Sequence, residues 1–340
     1  MVLAGFSNPW LYCKSEFMVD LTALVFVVAL VIALLVDRYL GEPPARLHPV
    51  VWMGNYLNWA AGRIHPNPSP AVRDLKAFRL AGQYWCGGVA MVLIVACTLQ
   101  WAALRLPWYL AALLLGLALK PMLAWAMLRR EVQAVEDALS TSLEAGRERL
   151  SWLVSRDTST LSASEVRESA IESLAENLND SVVAPIFWFV LFGLPGAAVY
   201  RFANTADAMW GYHGLRDGVN WEWAGKWAAR ADDALSWVPA RLTALLLAGV
   251  AGGIHLKVLR REARKTPSPN SGWPMAAMAL ALNIRLRKPG TYTLHAAGKL
   301  PSAVDTVKAQ KYASKVVLCQ AFIALAAILL IAYACRMVMQ

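Results

Sequence analysis

The run LTALVFVVALVIALLV, from Leu21 to Val36, contains no ionisable side chain. A helix of about 20 such residues matches the roughly 30 Å hydrocarbon core of a bilayer. Gly87 to Leu104 and Leu318 to Cys335 are equally free of charge, and Pro107 to Leu128 carries only Lys120. Val182 to Tyr200 and Val238 to Leu256 are weaker runs of the same kind. Composition agrees: the chain is 58% hydrophobic and 16% charged, with a mean hydropathy of +0.42, where a soluble domain is roughly 45–50% apolar and about 25% charged. The first run starts late, and Val36-Asp37-Arg38 offers no small-x-small cleavage pattern, so it reads as an uncleaved anchor and not a signal peptide. The fold class expected is all-α: a polytopic integral membrane protein with about four to six hydrophobic helices, some re-entrant, and amphipathic cytoplasmic helices. Pro185, Gly193, Pro195 and Gly196 break up the fourth run, and non-helical backbone at membrane depth is tolerated where protein or a polar cavity covers it. Both weaker runs are therefore expected not to span.

Charge orients this arrangement. Of 33 basic residues, 12 fall in Lys257 to Lys315 against two acids, with six more in Asp37 to Cys86 and six in Arg129 to Asp180. Positively charged loops stay in the cytoplasm. All three basic regions share that side if the weak runs together contribute an even number of crossings, which leaves both termini on the other side. A single membrane-embedded domain is expected over residues 1–340. Within it lie an N-terminal extension at 1–20 (with Met18 an alternative start), an acidic cytoplasmic helical segment at 129–182 and a basic cytoplasmic segment at 257–316. The five cysteines include no CxxC pair, which argues against a disulfide framework or a zinc site. A net charge of +10 suits anionic headgroups or polyanionic substrates. The basic residues are not interleaved as a nucleic-acid stripe, so nucleic acid is not expected as a partner.

Against that basic background, SLAENLND (Ser173 to Asp180), preceded by Glu172, is a concentration of acid. Ser162-Ala-Ser-Glu165 is a capping-box pattern that starts a helix. Glu165, Glu168, Glu172 and Glu176 then recur at spacings of three, four and four, which places them on one face. Val166, Ala170, Ile171, Leu174 and Leu178 take the opposite face. Glu165 and Glu168 are expected to be solvated. Glu172, Glu176 and Asp180 lie nearer the apolar run, where uncompensated carboxylates are costly. Carboxylates one turn apart suit Mg²⁺, which uses one or two of them plus substrate phosphates.

Further polar islands interrupt the apolar background. DRYLGEPPARLHPVVWMG carries Asp37, Glu42 and His48, and YRFANTADAMWGY carries Arg201, Asn204, Thr205 and Asp207. ARADDALSWVPARL carries Arg230, Asp232, Asp233 and Arg241. In RREARKTPSPNSGWP, Arg264 and Lys265 precede Ser268, Asn270, Ser271 and Gly272, small residues whose backbone amides can approach an anion. There is no GxxxxGK[ST] loop, GxGxxG fingerprint, GxSxG elbow or HExxH pair, so any nucleotide chemistry needs an uncommon scaffold.

These islands, in this order, resemble the CobD/CbiB family, the adenosylcobinamide-phosphate synthases of cobalamin biosynthesis. The segments that carry the resemblance are DRYLGEPPARLHPVVWMG, RDTSTL, ESLAENLNDSVVAPIFW, YRFANTADAMWGY, DDALSWVPARL and SPNSGWP, spread from about Asp37 to Tyr292. The resemblance implies a multi-pass enzyme of the bacterial inner membrane with its active site facing the cytoplasm. It would join adenosylcobyric acid to (R)-1-amino-2-propanol O-2-phosphate, or a related amino alcohol, by ATP- and Mg²⁺-dependent amide formation. Other late-pathway membrane enzymes would be its partners. On this resemblance the metal candidates are Glu172, Glu176, Asp180, Asp207, Asp232 and Asp233. Arg156, Arg201, Asn204, Arg241, Arg264, Ser268 and Asn270 are candidates to bind substrate or phosphate. The catalytic candidates are His48, Asp157 and Glu176. The family more often has Gly where Ser181 stands, and frequently Glu where Met275 follows GWP. The competing classes are an AmpE-like non-catalytic membrane regulator and a small-molecule transporter.

Overall fold

Hydrophobic runs of this length have to satisfy every backbone N–H and C=O internally, and the chain does so by forming helices. A computed structural model describes residues 16–66, 73–212, 214–216 and 218–339. Positions 1–15 of the expected extension lie outside the described residues. The described residues form twelve α-helices: α1 (Glu16–Leu40), α2 (Pro49–Ile64), α3 (Leu75–Ala103), α4 (Trp108–Leu119), α5 (Trp125–Thr141), α6 (Leu143–Ser151), α7 (Ala163–Leu178), α8 (Ala184–Trp210), α9 (Lys226–Val250), α10 (Leu256–Ala263), α11 (Gly272–Leu282) and α12 (Ala303–Met339). Strands were not expected, and two small antiparallel ribbons correct that: β1 (Leu215–Arg216) with β2 (Val219–Asn220), and β3 (Leu286–Lys288) with β4 (Tyr292–Leu294). Two- and three-residue strands are too short to show alternation in a sequence.

Six helical stretches are long and apolar enough to cross a membrane: Met18–Leu40, Leu75–Ala103, Trp108–Thr141, Ala163–Trp210, Lys226–Val250 and Ala303–Val338. The chain is thus a helical, multi-pass membrane protein. Both weaker runs, expected not to span, fall inside stretches of sufficient length. Each apolar run continues into a polar helix, α7 in one case and the first turns of α9 in the other, and hydropathy alone does not count those turns. The expected break in the fourth run is present. Gly193 has φ 68° and ψ −153°, outside helical space, with Pro195 just beyond it.

The chain divides into two compact units. The first comprises the described residues up to Leu123, Pro185–Leu235 and the stretch from Ala324 on. Its core pairs α1 with α4, where Ala29, Leu30 and Ala33 meet Ala111, Ala112 and Leu115, all essentially inaccessible. Gly116 permits this approach: a Cβ there would stand 2.8 Å from the Ala29 carbonyl oxygen. Small residues at helix contacts are how membrane helices gain packing when the solvent is itself apolar. The break in α8 is held by Gln100 of α3, whose buried Oε1 accepts the Leu194 N–H at 2.8 Å.

The second unit comprises Ala124–Ala184 and Ser236–Ile323. Its centre is α7, which packs on α5, α6, α11 and β3. Ser162 caps α7 through the predicted box: its Oγ accepts the Glu165 N–H, while the Glu165 carboxylate accepts the Ser162 N–H at 2.9 Å. The helix leaves through a π-turn, Asn179–Val183. Such turns arise mostly as single insertions in α-helices and are frequent at functional sites.

Candidate functional site

The acidic stripe of α7 is not solvated in its first turns. Glu168 is fully buried and accepts Arg285 Nε at 3.1 Å and Nη2 at 2.9 Å. Glu165 pairs with Arg287, and Glu172 accepts Arg156 Nη2 and the Tyr292 hydroxyl, each at 2.5 Å. The match is geometric. Arg285 and Arg287 are two residues apart along extended backbone, about 6.6 Å, and Glu165 and Glu168 are about one turn apart, roughly 4.5–5 Å. The acids of α7 therefore zip onto the basic segment, and burial of the carboxylates is compensated by guanidinium groups.

The Tyr292 hydroxyl is pushed far above its ordinary value by burial, then by the negative charge of Glu172. It stays protonated and serves as a donor. Met275 Sδ lies 3.8 Å from the same hydroxyl, so Met275 is in this cluster. Glu172 is thus engaged on both oxygens, and the next carboxylates of this run, Glu176 and Asp180, are half-buried. Asp180 Oδ1 accepts Asn179 Nδ2 at 2.7 Å, and Asn179 Oδ1 accepts the Thr243 hydroxyl at 3.0 Å. Among the described residues, no three His, Cys, Asp or Glu side chains gather as a ready-made metal site.

Thr243 leads to the phosphate candidates. Two positions earlier on α9, Arg241 donates from Nη1 to the Trp237 carbonyl at 2.6 Å and to Asn270 Oδ1 at 3.0 Å. Its guanidinium lies 4.2 Å from the Trp237 ring centroid and 4.9 Å from that of Trp273. Arg241, Arg264 and Ser268, which lie on two separate polar islands of the sequence, line one cavity, and Asn270 is held to it through Arg241. The loop is not an amide nest, however. The N–H groups of Asn270 and Ser271 donate to Ser268 Oγ at 3.1 and 3.2 Å, so the turn closes on itself. Asp157 sits on the surface, where the Ser159 N–H holds its carboxyl below the usual range. Ser181 is buried, and its carbonyl accepts the Ala124 N–H at 3.0 Å.

The remaining candidates belong to the first unit. Arg201 Nη1 donates to Asn204 Oδ1 at 3.4 Å, and Asn204 Nδ2 donates to Asp232 Oδ1 at 3.3 Å. Asp207 and Asp233 are half-buried, and the Asp207 carboxylate lies close against Gly211. His48 caps α2: its Nδ1 accepts the Val50 N–H at 3.2 Å, which leaves Nε2 to carry the proton toward Glu42 Oε2 at 3.1 Å. The same Glu42 oxygen lies 2.5 Å from Lys120 Nζ, and Asp37 Oδ1 lies 3.5 Å from it. Lys120, 2% exposed, is thus compensated within its apolar surroundings.

Sequence reasoning missed Tyr292, Arg260, Arg285 and Arg287, which carry no motif. A lone charge in an apolar run does mark Lys120.

The chain matches the family model for CobD/CbiB proteins over residues 30–331. It is 39% identical over 282 residues to the "Probable cobalamin biosynthesis protein CobD" of Methanothermobacter thermautotrophicus, covering 79% of this chain and 86% of that protein. To the protein of the same name from Thermococcus kodakarensis it is 41% identical over 282 residues, 83% of this chain and 89% of the other. To the "Cobalamin biosynthesis protein CobD" of Chromobacterium violaceum it is 41% identical over 260 residues, 75% and 79% of the two chains. No solved structure matches the chain. A match across most of the length means that this chain belongs to the CobD/CbiB family.

Proposed function

We propose that this chain is an enzyme of cobalamin biosynthesis that joins adenosylcobyric acid to (R)-1-amino-2-propanol O-2-phosphate, or a related amino alcohol phosphate, as an amide at the expense of ATP. The observation that carries the reading is that the second unit holds both kinds of group the reaction needs. Asp180 is bonded to Asn179 and Asn179 to Thr243 of α9, and Arg241 of the same helix is bonded to Asn270. Oxygen donors for a hard cation and guanidinium groups for phosphate thus belong to one compact unit, as an acid–amine ligation with two phosphate-bearing substrates requires.

A carboxylate cannot be displaced by an amine until its oxygen is made a leaving group. One carboxylate oxygen attacks the γ-phosphorus, the bond to the β–γ bridging oxygen breaks, and ADP departs. The amine lone pair then attacks the acyl carbon, the C–O bond to phosphate breaks, and phosphate leaves. Arginine side chains hold phosphate oxygens bidentately while charge shifts between them. Glu176 and Asp180 are hard oxygen donors one turn apart and would hold Mg²⁺, beside Glu172, which is bonded to Arg156 and Tyr292. Bound Mg²⁺ would neutralise charge on the nucleotide phosphates. His48 Nδ1 is committed to its cap, and the carboxyl of Asp157 is held low, which makes Asp157 a weak base. The departing phosphate, with a second pKa of about 6, is the better acceptor for the amine proton.

The proposed setting is the cytoplasmic face of the bacterial inner membrane. Six crossings put loops 41–74, 142–162 and 251–302 on one side, in keeping with their excess of Lys and Arg. The test is turnover by the purified protein in lipid with both substrates, ATP and Mg²⁺, followed by mass spectrometry. The amide and stoichiometric ADP are expected. Glu176→Gln should lose activity by about 100-fold or more at unchanged melting temperature. A folded protein that forms no amide and no ADP refutes the reading.

A further inference from the structure

A cavity of about 620 Å³ lies in the second unit between the mouth of α9, α10 and the turn before α11. Arg241, Arg260 and Arg264 line it, and no aspartate or glutamate does. Arg260 and Arg264 sit one turn apart, so they project to the same side. The acid nearest in sequence, Glu262, is buried and already receives Lys265 Nζ at 2.6 Å and the His295 N–H at 2.7 Å, with Arg261 at 3.4 Å. Neither Arg260 nor Arg264 has a carboxylate partner among the described residues. Three guanidinium groups around one cavity with no carboxylate among them make a positive field that favours an anion carrying several charges.

We infer that this cavity is the seat of the polyphosphate of a nucleoside triphosphate. The inference rests on the ligase reading and decides which of its two phosphate-bearing substrates binds here. A triphosphate brings three phosphoryl groups for three arginines. The amino alcohol phosphate brings one phosphate and an ammonium, which would face guanidinium groups with no carboxylate to receive it. The volume lies in the range of pockets for ligands of nucleotide size. Trp237, 53% exposed, and Trp273 stand on the wall beside Arg241 and offer aromatic surface to a base. The self-closed turn at Ser268 accounts for the absence of a glycine-rich loop: here the phosphates meet side-chain guanidinium groups and not backbone amides.

The test is titration of the full chain, in nanodiscs of neutral phosphatidylcholine, with the non-hydrolysable analogue adenylyl imidodiphosphate by calorimetry. Arg260→Ala and Arg264→Ala should each weaken binding about 10-fold and together about 100-fold. Both side chains are exposed, so melting temperatures should hold, and affinity for the amino alcohol phosphate should not change. Unaltered analogue affinity in the double variant overturns the inference, as does loss of amino alcohol phosphate binding in its place. A third overturning result is that the double variant changes only the retention of phosphatidylglycerol, which would mark the cavity as a lipid headgroup site. Arginine-dependent analogue binding in a protein that forms no amide would leave this inference standing and refute the ligase reading alone.

Discussion

Glu168 shows what one buried charge demands of its surroundings. With no exposed surface and Arg285 as its partner, it is tolerable only while that guanidinium is present. Arg285→Ala strands a buried carboxylate and should cost about 3 kcal/mol, and the double variant with Glu168→Gln should recover much of it. Melting temperatures of the four proteins in one detergent check this; strictly additive losses would refute the coupling. Tyr292 gives a pH signature. Its folded pKa is raised by burial and by Glu172, so its contribution to stability is complete below the unfolded value of about 10 and is lost as pH rises beyond it. Stability measured from pH 8 to 11 should fall more steeply above pH 10 in the parent than in Tyr292→Phe. Parallel curves would show that the hydroxyl is not held neutral.

At the scale of elements, two devices set where helices begin and break. The capping box at Ser162 starts α7 in the register that delivers its glutamates to the arginines of the basic segment. Ser162→Ala should cost about 1 kcal/mol, read as a fall in melting temperature with little change in activity. The break in α8 depends on Gly193, whose positive φ suits no side chain and whose missing Cβ leaves room for the Gln100 amide oxygen. Gly193→Ala adds backbone strain to a clash and should cost at least about 2 kcal/mol. A neutral outcome would mean that the break is not required.

For the whole molecule, six crossings, one for each long apolar stretch among the described residues, would fix which loops share a side of the membrane. Glu148→Cys and Lys288→Cys, in a background without the native cysteines, should react with an impermeant maleimide from the cytoplasmic side, and Leu215→Cys from the opposite side. Labelling of Glu148→Cys and Lys288→Cys from different sides would rule out six crossings. The short spans are where hydropathy falls short. The run at Val238 carries Arg241 and Thr243 of the candidate site, and its stretch has a mean hydropathy of only 1.2, against 1.8 to 2.9 for the other five.

The sequence by itself determined the membrane class, the apolar runs, the start of α7 with its capping box, and the polar islands that gather into clusters. All of these are local: hydropathy, helical periodicity and capping are written within a few neighbouring residues. The packing of distant segments sets the rest: Glu168 is buried and Glu165 paired with Arg287, Glu172 is engaged on both oxygens, and Arg260 completes a cavity free of acids. The partners of Glu168, Glu165 and Glu172 in the basic segment are 117, 122 and 120 residues away. No local pattern records a pairing over that distance: a solvated carboxylate and a buried, compensated one have the same spacing on a helix, and only the arrival of a guanidinium from elsewhere in the chain distinguishes them.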